Sequence, residues 1–303
     1  MRKTNLLFAL VLLSVLLNAC SANVTPTVQS SSLKVLATET FLADIAQNVA
    51  GNRIKIETLI SFDLDPHEFE PKPQDIVKIA ESQVLIVNGL GYEAWLKKTL
   101  ENLSSQQRVV VASSRLTPVS DPSGEHPDGD PHMWMNPLNV IKYVEIIRDE
   151  LSQADPAGKD IYTTNANAYV RKLKDLDQSI KSELNQLPVE KRLLVTNHDA
   201  LGYFARAYNF KVVGAVIPSM TDQAAPSAQE MGRLTEIIKS SGVQAIFMDI
   251  RENQTLAQQI ALETGVQVVT DLYVESLSGP DGPAPTYIDM MKHDVLLIVS
   301  TLK

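Results

Sequence analysis

From residue 33 onward the chain alternates between two hydrophobic patterns. Short runs rich in β-branched residues recur at 33–37, 54–60, 84–88, 108–112, 193–196, 211–216, 243–248 and 266–270. Most are apolar almost throughout rather than alternating, as expected of parallel strands covered on both faces. Between them, residues 41–49, 74–81, 93–103, 138–151, 200–208, 227–240 and 255–263 carry helical spacing. The strands fall into two groups of four, separated by residues 113–190. Within that gap, residues 160–187 contain neither Gly nor Pro. Tyr169, Leu173, Leu176, Ile180, Leu184 and Leu187 recur there every three or four positions, the signature of one long amphipathic helix. A last helix is expected over 287–302, with Ile288, Met291, Val295, Ile298 and Leu302 on one face. The predicted fold is α/β: two lobes with mostly parallel central sheets, joined by one long rigid helix. The boundaries read as an N-terminal lobe over 33–158, a linking helix over 159–188 and a C-terminal lobe over 189–303.

The first 32 residues belong to neither lobe. Met1-Arg2-Lys3, an apolar run over 6–17 and Asn18-Ala19-Cys20 compose a secretory signal. The run is shorter than the ~20 residues that span a bilayer. Cys20, the sole cysteine, stands where the signal ends, and Leu17-Asn18-Ala19-Cys20 resembles the bacterial lipoprotein box, in which the cysteine is acylated. A free cysteine in an ordinary signal peptide is the alternative. Residues 1–19 are thus read as a signal peptide, and the Ser/Thr-rich stretch 20–32 as a lipidated flexible tether. The chain is expected outside the cytoplasm, anchored to the bacterial cell membrane.

Composition narrows the function. A formal charge of −9 argues against a nucleic-acid surface, which needs clustered positive charge. Hydrophobic residues at 44% and charged residues at 21% exclude global disorder. A single cysteine excludes an internal disulfide and a Cys-rich zinc site.

The chemistry concentrates in five histidines. His67 lies in Asp65-Pro66-His67-Glu68-Phe69-Glu70-Pro71, directly after a strand. His132 lies in Asp130-Pro131-His132-Met133-Trp134. His198 follows the strand 193–196 in Thr196-Asn197-His198-Asp199-Ala200, and Asp271 follows 266–270 in the same way. Ligands of doubly wound sheets collect beyond the carboxyl ends of strands. Two of these residues come from each lobe, so all four can converge on the interlobe cleft. Three imidazoles and a carboxylate suit tetrahedral Zn²⁺, whereas more oxygen would favour Mn²⁺. A histidine after a strand also serves as a cap or packing residue, and spacing alone does not choose between the roles. Proline beside two of the imidazoles stiffens their loops and favours ligation.

Together these motifs resemble the solute-binding lipoproteins of bacterial metal ABC transporters, the cluster A-I family of zinc- and manganese-uptake binding proteins. The resemblance runs from Leu33 to the C-terminus and includes Asn88-Gly89 and Thr270-Asp271. It implies two α/β lobes bridged by a rigid helix, capture of Zn²⁺ or Mn²⁺, and delivery to an ABC permease by a monomer. By motif position it places the ligands on His67, His132, His198 and Asp271. Manganese-type members usually carry glutamate where this chain has His198. Histidine there, followed by Gly202-Tyr203-Phe204, is similar to the zinc type. The loop over 124–130 holds one histidine, His126, where zinc-type members often have a long His-rich insertion.

Several residues have competing readings. Asp249, ending the strand 243–248, is the substitute for Asp271. His126 with Glu125 and Asp128 reads as a solvated acidic turn, and His293 as a surface or lobe-contact residue. Gly89 and Gly91 mimic a dinucleotide fingerprint but read as a tight turn. An exported zinc hydrolase would use the same four residues, with Glu68 or Glu70 as base. Four protein ligands close the site, however, and no His-Glu-x-x-His helix is present. An adhesin would leave the histidines without a purpose.

Overall fold

Each group of four strands closes into its own parallel sheet. The computed structural model describes residues 31–62, 64–67, 69–101, 107–120, 128–218 and 226–303. In the first lobe, β1 (Val35–Ala37), β2 (Ile56–Thr58), β3 (Val84–Val87) and β4 (Arg108–Val111) pair in the order β2-β1-β3-β4. In the second, β5 (Leu193–Thr196), β6 (Lys211–Ala215), β7 (Ala245–Asp249) and β8 (Gln267–Leu272) pair as β6-β5-β7-β8. The two sheets therefore share one topology. In each the chain steps one way from its first strand and then reverses, which opens a crevice beyond the carboxyl ends of the central pair. β3, Val-Leu-Ile-Val, is buried along its whole length, as a strand covered on both faces must be.

The helices of the first lobe are α1 (Thr40–Ala50), α2 (Pro73–Glu81), the single turn α3 (Lys97–Leu100) and α4 (Pro137–Ala154). Pro137 at the first position and the Asn136 side chain, accepting the Leu138 amide at 3.0 Å, start α4. The long helix α5 (Lys159–Leu184) follows, then α6 (Gly202–Tyr208), α7 (Ala228–Ser241), α8 (Thr255–Thr264) and α9 (Tyr287–Leu302). α5 buries Tyr169, Leu173, Leu176, Ile180 and Leu184 of the stripe read from its spacing, and Tyr162 and Ala166 extend that face toward the N-terminus of the helix. It ends three residues earlier than its apolar pattern, and the chain turns through Leu187 before Pro188. Where one helix was expected over 93–103, a 3₁₀ turn at Ala94–Leu96 leads into α3.

α5 packs on α4 and α1 from the first lobe and on α9 from the second. One continuous apolar core runs from Phe41, Ile45 and Trp134 through Tyr169 and Leu173 to Met291 and Ile298. Hydrogen bonds also cross between lobes. The Trp134 indole donates to the Val274 carbonyl (2.9 Å), the Leu277 amide to Thr40 Oγ1 (2.8 Å) and the Tyr287 amide to Asp44 Oδ2 (3.0 Å). The segment that follows β8 is thereby seated against the first lobe.

β8 itself runs two residues beyond the expected end. Asp271 consequently lies inside the strand, where the pleat sends its side chain to solvent and Leu272 inward. The signal peptide, most of the tether, Cys20, Glu68 and the loop with His126 lie outside the described residues.

Candidate metal centre

The two Asp-Pro-His tripeptides fold alike. Asp65 Oδ1 accepts the His67 amide at 2.7 Å, and Asp130 Oδ1 accepts the His132 amide at 2.9 Å. Each aspartate thus closes a turn on the residue two positions on, while the intervening proline holds the backbone. Asp130 Oδ1 also faces His132 Nδ1 at 2.9 Å. His198 follows β5, where the Thr196 hydroxyl donates to the His198 carbonyl at 2.6 Å. Its Nδ1 lies 2.7 Å from Glu252 Oε1.

The fourth member of the group is Glu275, four residues past Asp271. One ligand atom each from His67, His132, His198 and Glu275 lie within 4.8 Å of one another, and all four residues are buried. The three Nε2 atoms converge on the one carboxylate: His198 at 3.2 Å and His132 at 3.3 Å from Oε1, and His67 at 3.7 Å from Oε2. The structure does not bring Asp271, the expected fourth ligand, into this group. Its exposed carboxylate is outside the group, and its carbonyl lies 2.9 Å from His293 Nε2.

Asp249, the substitute, also stays outside the ligand cluster and instead supports Glu275. It pairs with Arg251 Nη2 through both oxygens (2.6 Å each) and accepts the amides of Val274 (2.7 Å) and Glu275 (3.2 Å). Tyr92 donates its hydroxyl to Glu275 Oε2. Tyr92 and Trp134 wall the group, with ring centroids 5.1 Å from His67 and 5.2 Å from His132. Gly89 has φ +92°, and a Cβ there would meet Val111 at 2.4 Å. The Gly89 turn is pinned beneath the site by Glu93, which accepts the Asn88 and Gly89 amides. Glu70 is exposed and takes no part.

Burial and the facing carboxylate act against each other in the electrostatics of the group. Burial depresses the His132 imidazole, but Glu275 and Asp130 outweigh it and lift the group to about 9. Burial likewise opposes the charge on His198, yet Glu252 and Glu275 raise it well above the ordinary histidine range. Burial also works against an ionised Glu275, and the surrounding histidines, His132 first, hold it well below the usual carboxylate range. A divalent ion would take the place of protons on the imidazoles.

The buried group contains the three histidines read from the sequence, whereas Glu275 and the neighbouring Glu252 and Tyr92 were not read there. The one available signal for Glu275 was a lone acid inside Leu272-Tyr273-Val274-Glu275-Ser276-Leu277, an apolar stretch that a solvated turn would not carry.

Residues 35–301 match the family model of ZnuA, the periplasmic component A of the zinc-uptake complex. The chain belongs to this family. It is 33% identical over 304 residues to the manganese-binding lipoprotein MntA of Halalkalibacterium halodurans, covering 100% of this chain and 99% of that one. It is 35% identical over 291 residues to the iron-binding protein YfeA of Yersinia pestis, covering 95% and 93%. Among solved structures, the periplasmic zinc-binding protein TroA of Treponema pallidum superposes with a TM-score of 0.83 at 26% identity, covering 90% of this chain and 99% of that one. The Mn-bound periplasmic metal-binding protein of Candidatus Liberibacter asiaticus gives 0.79 at 29% identity, covering 89% and 100%. The family's role is metal capture for ABC transporters, a transport function rather than an enzymatic one, and its named members divide among zinc, manganese and iron.

Proposed function

We propose that this protein captures a divalent transition-metal ion outside the cytoplasmic membrane through His67, His132, His198 and Glu275, with Zn²⁺ preferred over Mn²⁺, and delivers it to an ABC permease. The observation that carries the reading is the spacing of the donors. Zinc bonds to nitrogen and oxygen of about 2.0–2.2 Å imply tetrahedral edges of roughly 3.3–3.6 Å. Two of the histidine-to-carboxylate distances, 3.2 and 3.3 Å to Glu275 Oε1, lie close to that edge, and the third imidazole stands 3.7 Å from Oε2 of the same carboxylate. Three nitrogens and one oxygen also suit zinc better than a harder ion. Four protein donors leave no open position for a reacting water. This favours a binding site over a hydrolase.

Titration of the mature chain is expected to show one ion per monomer. Expected stoichiometry and affinity both fall in His67→Ala and His198→Ala. Unchanged binding in both variants refutes the assignment.

The continuous core shared by both lobes makes a wide hinge costly, since opening it would return large apolar surfaces to water. Release is therefore assigned to a local displacement of the segment carrying Glu275, which the Trp134, Thr40 and Tyr92 hydrogen bonds hold in place.

Cys20 is assigned as the lipid attachment point, because it is the sole cysteine, at a signal boundary, ahead of a polar tether. Mass spectrometry of the native N-terminus should find residue 20 first and acylated. A mature chain that lacks Cys20, or keeps it as a free thiol, contradicts this.

A further inference from the structure

His132 and His198 each set Nδ1 against a buried carboxylate, but the two carboxylates have different origins. Asp130 comes with His132 in the same tripeptide turn. Glu252 reaches His198 from the turn after β7, 54 positions along the chain. Its side chain is 3% exposed, and both of its oxygens are committed: Oε1 to His198 Nδ1 at 2.7 Å and Oε2 to the Asp249 amide at 2.8 Å. The Glu252 amide in turn donates to the Asp249 carbonyl at 3.1 Å, so the backbone that carries the carboxylate is fixed as well.

We propose that Glu252 is a positioning residue that sets the donor strength of His198 and through it the zinc-over-manganese preference of the site. The inference rests on His198 being a ligand. A carboxylate at Nδ1 keeps one ring proton there, so an ion that displaces the other would meet the lone pair of Nε2, which stands inside the donor group 3.2 Å from Glu275 Oε1. The negative charge also pushes electron density toward Nε2 and makes the imidazole a stronger base. Zinc gains more from a stronger nitrogen donor than manganese, which prefers oxygen. A residue that only tied the β7 turn to β5 would affect both ions equally.

The test is chelator-competition titration of Zn²⁺ and of Mn²⁺ on the mature chain carrying Glu252→Ala or Glu252→Gln, with His198→Ala alongside. Glu252→Ala is expected to lower zinc affinity about 10–100-fold, the usual consequence of losing such a partner, and manganese affinity less, so the preference narrows. Glu252→Gln keeps an acceptor oxygen for Nδ1 without the charge and should fall between. The visible absorption of the Co²⁺ form should shift in the same order, since those bands report donor strength. A zinc-to-manganese ratio equal to the parent's in both variants overturns the proposal, whether or not both affinities drop. If Glu252→Ala does not fold, the ratio in Glu252→Gln decides alone. Parent-like binding by His198→Ala would instead overturn the ligand assignment. Weakened binding there, together with an unchanged ratio in the Glu252 variants, removes only the role given to Glu252.

Discussion

Replacing Glu275 by alanine is expected to weaken zinc binding roughly a hundred- to a few thousandfold, while Asp271→Ala binds as the parent does. The carboxylate is the one anionic donor among four buried side chains, and three imidazole nitrogens face it. Without it, a dication would sit in a dry pocket held only by neutral nitrogens. Stranding a buried charge by removing its partner typically costs about 3–5 kcal/mol, and each ~1.4 kcal/mol is a factor of ten in Kd. Competition against a zinc chelator reads the difference. The pair of variants is discriminating because the two acids stand only four positions apart but in opposite environments, one buried and one exposed. Full affinity in Glu275→Ala, or lost affinity in Asp271→Ala, would show that the carboxylate donor has been misplaced.

The second large effect is on stability. Zinc held by the proposed donors would join side chains from both lobes, so it should bind the folded chain and have no comparable site in the unfolded one. At a free concentration about a thousand times Kd, such a ligand adds roughly 4 kcal/mol. For a chain of this size that corresponds to a rise in melting temperature on the order of 10 °C. Calorimetry with zinc, and again after a chelator is added, should show the rise and its reversal. The double variant His67→Ala/His198→Ala should show little of it. An equal rise in that variant would mean that zinc acts at some other place on the protein.

Local order was legible in the chain because it depends on near neighbours. The apolar runs at 84–88 and 193–196 announced covered parallel strands, and β3 and β5 lie there. The stripe from Tyr169 to Leu184 announced the long helix, whose buried face is that stripe. His67 and His132 were legible for the same reason: Asp, Pro and His in succession make a turn that aims an imidazole without help from elsewhere. His198 was read from its place after a strand. What failed were positions where one residue decides which face of the chain is inward. β8 continued through Leu272 instead of stopping at Thr270, and with that change of two residues the acid in the buried group is Glu275 and not Asp271. The strand's length is set by its pairing with β7, where Leu272 lies opposite Asp249 across a shift in register, and no local pattern encodes that. Glu252 and Tyr92 reach the site from distant turns and met it only when the sheets and the interlobe core were assembled. Two parallel-sheet lobes, the long helix between them and the turns that carry the histidines were readable from the chain alone, since each follows from spacing within one turn or one element. Which carboxylate joins the buried histidines, and which acid stands behind His198, came from packing between distant elements, because burial of a charge is settled by everything around it rather than by its neighbours in the chain.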